Sequence, residues 1–153
     1  MIESHSRTIG RPMEILLVED SLTDASLTIG ALKRGDIQHR LTLVRDGEEA
    51  IQFLHKEAHF VRAPRPDLIL LDLLLPKRSG IEVLRDVKDD FDLKNIPVVV
   101  LTASDSEETK LDCEELNVDA FIVKPVNMEK FLSVVRQLRK HLLADVILPA
   151  SVG

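Results

Sequence analysis

Five short apolar runs punctuate the chain, and longer stretches with helical spacing separate them. The runs are Glu14–Val18, His39–Val44, Asp67–Leu71, Pro97–Leu101 and Ala120–Val123. Each has the length of a strand. The first, third and fourth are apolar nearly throughout, as strands covered on both faces are. The second alternates polar and apolar residues, which suits a strand nearer a sheet edge. Ser21 to Arg34 reads as a helix with Leu22, Ala25, Leu27, Ile29 and Leu32 as its apolar positions, stopped by Gly35. Asp46 can cap a helix from Gly47 to near Glu57, with Glu49 at the reciprocal position of a capping box. Ser79 precedes a helix running to near Lys88, with Ile81, Leu84 and Val87 on one face. Ser104 or Ser106 can cap a helix reaching Leu116. Asn127 can cap the last, whose inner face carries Phe131, Val134, Val135, Leu138 and Leu142.

Strands alternating with helices predict an α/β fold, a doubly wound parallel sheet with helices on both faces. Right-handed crossovers leave few topologies. The five-stranded, flavodoxin-like order 2-1-3-4-5, a (βα)5 arrangement, is the natural one. Ligands in such sheets bind beyond the carboxyl ends of the strands, near the switch point between strands 1 and 3.

The residues just past the strands form a consistent set. Strand 1 ends in Glu19-Asp20, strand 3 in Asp72, strand 4 in Thr102-Ala103-Ser104 and strand 5 in Lys124-Pro125. Arg45-Asp46, after strand 2, reads as a helix start. Three carboxylates on one sheet edge repel unless something positive lies among them. Mg²⁺, or Mn²⁺, with oxygen ligands would resolve this. Asp20 and Asp72 are the expected direct ligands, with the backbone carbonyl of Leu74 as a third. Glu19, being longer, is expected to act through water. Lys124 adds a fixed positive charge and Thr102 a small hydroxyl donor. Such a set suits phosphoryl transfer, where positioning and charge neutralisation do most of the work. A carboxylate can be the nucleophile, giving an aspartyl phosphate. Taken singly, Asp20 reads equally as a helix cap, Thr102 as a turn residue and Lys124 as a surface lysine. Asp72 is different, because a charge between Leu-Ile-Leu-Leu and Leu-Leu-Leu-Pro is costly unless paired or liganded.

Composition narrows the classes. The 153 residues are 44% hydrophobic and 30% charged, which fits one soluble globular domain. No apolar run approaches the ~18 residues a membrane span needs, and the N-terminus lacks the apolar core of a signal peptide. A cytoplasmic protein with no membrane association is expected. Net charge is −6, there is no basic run and aromatics are 3%, so nucleic acid is not an expected partner. Cys113, in a helical pattern, reads as a half-buried small residue. His55 and His59, four apart, read as a surface pair with no metal frame around them. Residues 1–12 read as a flexible arm, 13–143 as the domain and 144–153 as a tail.

From residue 13 to residue 143 the chain resembles the response-regulator receiver domains of two-component systems. The matching motifs are ILLVED at 15–20, LILLDLLLPKRSG at 68–80, VVVLTAS at 98–104 and FIVKP at 121–125. The resemblance implies Asp72 as phospho-acceptor, Glu19 and Asp20 as an acidic metal pocket, and Thr102 and Lys124 as contacts of the phosphoryl group. It also implies Phe121 as an aromatic switch residue and a cis bond before Pro125. Within the family the chain is most similar to single-domain regulators of phytochrome-type histidine kinases. That similarity rests on the connection HKEAHFVRAPRPDLILLDL and the phrases LVRDGEEAIQFL and DLKNIPVVVLTAS. It implies a homodimer through the last helix and the apolar tail ADVILPASVG, in which Val146, Ile147 and Leu148 call for a partner surface. No DNA-binding or enzymatic output domain is expected to follow. Glu19 replaces a commoner aspartate, Leu74 a commoner polar residue or Met, and Ser79 a commoner aspartate. Rival readings are an aspartate-nucleophile phosphatase, a degenerate receiver acting as an adaptor, and a nucleotide-binding protein. Leu74 argues against the first, the intact acid, hydroxyl and lysine set against the second, and the lack of a glycine-rich phosphate loop against the third.

Overall fold

A computed structural model describes residues 11–104 and 106–139. Residues 1–10 of the expected arm, Leu142 and the whole tail Ala144–Gly153 lie outside the described residues. The elements run β1 (Met13–Val18), α1 (Leu22–Arg34), β2 (His39–Val44), α2 (Gly47–Leu54), β3 (Leu68–Asp72), α3 (Gly80–Asp89), β4 (Val98–Thr102), α4 (Glu107–Glu115), β5 (Ala120–Val123) and α5 (Met128–Arg139). A single 3₁₀ turn, Ala58–Phe60, follows α2. The sheet order is β2-β1-β3-β4-β5 and every pairing is parallel. The expected doubly wound architecture is therefore the observed one.

Alternation along the strands feeds two cores. Leu16, Val18, Ile69, Leu71, Val98 and Val100 pack on one face with Ile51, Val83, Leu84 and Cys113, from α2, α3 and α4. Ile15, Leu17, Leu68, Leu70, Val99 and Leu101 pack on the other with Ala25, Leu32, Phe131 and Val135, from α1 and α5. β3 and β4 are buried at every residue, as central strands covered twice must be. β2 is an edge strand and half-buried for most of its length.

The caps follow local chemistry. Ser21, Asp46, Ser79, Ser106 and Asn127 each accept a hydrogen bond from the backbone N–H three residues on. Ser106, not Ser104, caps α4. Glu49 reaches back, but to the N–H of Arg45 rather than of Asp46. α2 stops at Leu54, short of Glu57, because Lys56 and Ala58 take φ of 56° and 53° and the helix cannot continue through them. Gly35 ends α1 without a left-handed backbone (φ −78°); that geometry falls to Asp36 at φ 56°. The glycine serves closeness instead, since a Cβ there would lie 2.6 Å from Leu132 Cδ2. Leu22 and Leu27 face solvent, so the inner face of α1 is Ala25, Thr28, Ala31 and Leu32. Cys113 is fully buried rather than half-buried. The two histidines do not pair: His55 bonds Asp86 at 2.7 Å, while His59 lies against Phe60. Arg11, expected in the arm, forms a two-pronged pair with Asp67 at 2.5 and 2.6 Å.

The start of α3 is pressed against the strand end that carries Asp72. A Cβ on Gly80 would lie 2.4 Å from Leu73 Cα and 2.5 Å from the Asp72 carbonyl oxygen, both backbone atoms that cannot swing away. Gly80→Ala should lower the urea midpoint by the equivalent of about 1–3 kcal/mol with an unchanged slope. At Gly30 an added Cβ meets the flexible end of Arg34, so Gly30→Ala should match or exceed the parent in the same titration. Equal midpoints for Gly80→Ala and the parent would contradict this close approach.

Candidate functional site

Register assembles the site. β1 and β3 pair Val18 with Leu71, so Glu19 and Asp72 follow on adjacent strands. The backbone N–H of Glu19 still donates to Val44 at 3.0 Å, which holds it in line with β1. β3 and β4 pair Asp72 with Leu101, which puts Thr102 one step beyond. Thr102 pairs with Val123, and the N–H of Lys124 donates to the Thr102 carbonyl at 2.8 Å. Four of the expected residues thus leave the same edge of the sheet. Glu19 is 1% exposed, Asp72 6%, and Thr102 is fully buried.

The Lys124 ammonium gathers the acids. Its Nζ donates to Glu19 Oε1 at 2.5 Å, to Asp72 Oδ2 at 2.8 Å and to Asp24 Oδ2 at 2.9 Å. The remaining oxygens are used as well: Glu19 Oε2 accepts from the N–H of Ser21 at 3.2 Å, and Asp72 Oδ1 from the N–H of Leu74 at 3.0 Å. Burial pushes the Glu19 carboxyl up to about 7, helped by its contact with Asp72 and opposed by Lys124 and Ser21. For Lys124 the largest single influence, burial, pulls downward. Hydrogen bonds to Asp72, Glu19 and Asp24 together outweigh it, and the net direction is up. One ammonium therefore does not satisfy two buried carboxylates.

Asp20 is not drawn into this cluster. Its side chain is 52% exposed, and Arg45 lies 3.8 Å from Oδ1 while donating to the Asp20 carbonyl at 2.7 Å. Among the described residues, no three His, Cys, Asp or Glu side chains stand ready to hold a metal ion together. Leu74 presents an exposed side chain (69%) just past Asp72. Thr102 Oγ1 accepts the N–H of Ser104 at 3.2 Å, which leaves its own hydroxyl proton free to be donated. Phe121 is half-buried against the core under α2–α4. The Lys124-Pro125 bond is cis. Sequence reasoning missed Asp24 and Arg45. Each reads locally as part of a helix start, and nothing in spacing tells which way its side chain turns.

The expected donors are all oxygen: the carboxylates of Glu19, Asp20 and Asp72 and the carbonyl of Leu74. Four carboxylates, counting Asp24, meet two cations, Lys124 and Arg45. Such donors and such an excess of negative charge fit a hard divalent cation. Without one, Glu19 should hold its proton in the folded chain over a range where the unfolded chain has lost it. Stability from this group is then present at low pH and lost as pH rises from about 4.5 to about 7. In chelator, the parent should lose stability relative to Glu19→Gln across that window, by on the order of 3 kcal/mol. Thermal unfolding of both proteins across the pH range reads this directly. A difference independent of pH would contradict it.

Residues 15–136 match the family described as the response regulator receiver domain. Response regulator Rcp1 from Synechocystis sp. is 44% identical over 140 residues, covering 92% of this chain and 95% of that protein. The crystal structure of the Mn(2+)-bound form of Rcp1 superposes with a TM-score of 0.74 at 44% identity, over 91% of this chain and all of that one. The phosphorylated cyanobacterial phytochrome response regulator RcpA gives 0.75 at 40% identity, over 92% of this chain and all of that one. With the sheet order, the strand-end acids and this likeness in agreement, the chain belongs to the response-regulator receiver domain family.

Proposed function

We propose that this chain accepts a phosphoryl group on Asp72 from the phosphohistidine of a histidine kinase and signals by a change of conformation or dimerisation. The observation that carries the reading is the Lys124 ammonium shared between two buried carboxylates, Glu19 and Asp72, at the switch point of the sheet. A carboxylate oxygen of Asp72 attacks phosphorus, the phosphorus–nitrogen bond breaks, and the imidazole leaves with a proton from solvent. Lys124 then turns an N–H from Asp72 to a phosphoryl oxygen, and Thr102 donates its free hydroxyl proton to another. Glu19, Asp20, Asp72 and the Leu74 carbonyl would hold Mg²⁺ or Mn²⁺, and Asp20 would turn from Arg45 to do so. The bound ion supplies the charge neutralisation that lets two anions approach. As Thr102 moves toward the phosphoryl group, Phe121 follows into the space it leaves, which biases a two-state equilibrium of the α4-β5-α5 face.

The finer parts of the reading rest on likeness and pattern. RcpA is named as a phytochrome response regulator, which supports a phytochrome-type kinase as the partner. The apolar run Val146-Ile147-Leu148 supports a homodimer through α5 and the tail. No helix among the described residues is long and apolar enough to cross a membrane, which agrees with a cytoplasmic site of action. The chain would catalyse nothing beyond its own phosphorylation and dephosphorylation. A phosphatase of the aspartate-nucleophile type needs an acid two positions past the nucleophile, where Leu74 stands. An adaptor that ignores phosphorylation would have no use for a lysine bound to buried acids.

Incubation with acetyl phosphate and Mg²⁺ should add one phosphoryl group by intact mass. Asp72→Asn should add none, and Lys124→Ala should slow the reaction on the order of a hundred-fold. Labelling of Asp72→Asn at the parent rate would overturn the assignment. Size-exclusion chromatography with and without beryllofluoride should show the dimer population shift; identical profiles would remove dimerisation from the reading.

A further inference from the structure

An ammonium has three N–H bonds, and on Lys124 all three are taken. Two go to Glu19 and Asp72, the buried acids at the strand ends. The third goes to Asp24, which lies on α1 and is 38% exposed. Asp24 is the third residue of α1, the position from which a Glu or Gln reaches back to the N–H of the capping residue in a capping box. Here that N–H, of Ser21, is taken by Glu19, and the Asp24 carboxylate is committed to Lys124 instead. The contact spans 100 residues of sequence, so it is no by-product of starting a helix.

We propose that Asp24 is a positioning residue that acts through Lys124, holding its ammonium and so weakening the grip of the site on a phosphoryl group. The inference rests on Asp72 being the acceptor. A phosphoryl group on Asp72 brings new negative charge to the ammonium. Asp24 competes for that ammonium and repels the newcomer, at a distance where water screens it only in part. Glu19 is less suited to this part, because it is buried and releasing Lys124 would strip its Oε1 of a hydrogen bond away from water. Asp24 is open to water and can be released at small cost. The acid therefore sets the phosphoryl affinity below what Lys124 alone would give.

Calorimetric titration with beryllofluoride and Mg²⁺ tests this on the whole chain. Asp24→Asn should bind about five-fold more tightly than the parent, and the gap should shrink as salt is added. Asp24→Glu, which keeps the charge, should bind within about two-fold of the parent, a recovery that loss of packing alone would not give. Asp24→Ser also removes the charge and suits a first helical turn, and it should behave as Asp24→Asn does should that variant fail to fold. Equal or weaker binding by folded Asp24→Asn or Asp24→Ser would overturn the role of Asp24. Beryllofluoride bound equally well by Asp72→Asn would instead remove Asp72 as the acceptor, and with it the basis of this inference.

Discussion

A lysine ammonium, mostly withdrawn from water, sits within hydrogen-bond distance of three carboxylates, two of them buried. This is the interaction on which the rest of the site depends. Without Lys124 the two buried acids would repel each other in a medium that screens poorly. With it they are still short of positive charge, and Glu19 makes up part of the deficit by holding a proton toward about 7. A site left in that condition favours whatever brings cationic charge, and then favours an anion that can share the cations. Affinity for a divalent ion and for a phosphoryl group are two consequences of one imbalance.

The fold exists to keep that imbalance in place. Parallel pairing delivers Glu19, Asp72, Thr102 and Lys124 to one edge; the strands leading to the first three are flanked on both sides, and β5, before Lys124, is held by β4 alone. β3 and β4 are buried at every position, so the strand ends beneath the acids cannot drift. Glycines let other segments close in: Gly80 on the backbone of Asp72 and Leu73, and Gly47 on Arg78, where a Cβ would lie 2.0 Å from its carbonyl oxygen. Lys77 and Arg78 bridge back to Asp46 and Glu48, which ties the loop after β3 to the start of α2. The loop that carries Leu74 is thus held from two sides, while Asp20 and Arg45 lie at the surface with room to exchange partners.

Most of the architecture was legible because it rests on periodicity and end chemistry. Apolar runs found five strands to within a residue at each end, and Asp46, Ser79 and Asn127 marked their helix starts; Ser106 is one of two candidates for α4, and Ser21, which caps α1, reads from the pattern as lying inside the helix. Legibility failed where tertiary contact decides. Nothing in the pattern of Leu22 and Leu27 says that they face water, since smaller residues of α1 leave room for its approach to the sheet. Left-handed Lys56 and Ala58 cut α2 short without a glycine to announce it. The location of the acids, hydroxyl and lysine could be read from strand ends alone. Their partnerships could not: Asp24 joined the lysine and Asp20 turned to Arg45, because side-chain direction depends on residues distant in sequence.

Proton release on Mg²⁺ binding tests the central claim most directly. Calorimetry below the Glu19 midpoint, repeated in buffers of different ionisation enthalpy, counts the protons displaced by the ion. A cation entering a charge-starved pair should expel the proton that Glu19 holds. The account therefore predicts release from the parent, no release from Glu19→Gln, and weakened binding by Asp72→Asn. Mg²⁺ bound by the parent with no proton expelled, and held equally well by Asp72→Asn, would contradict it.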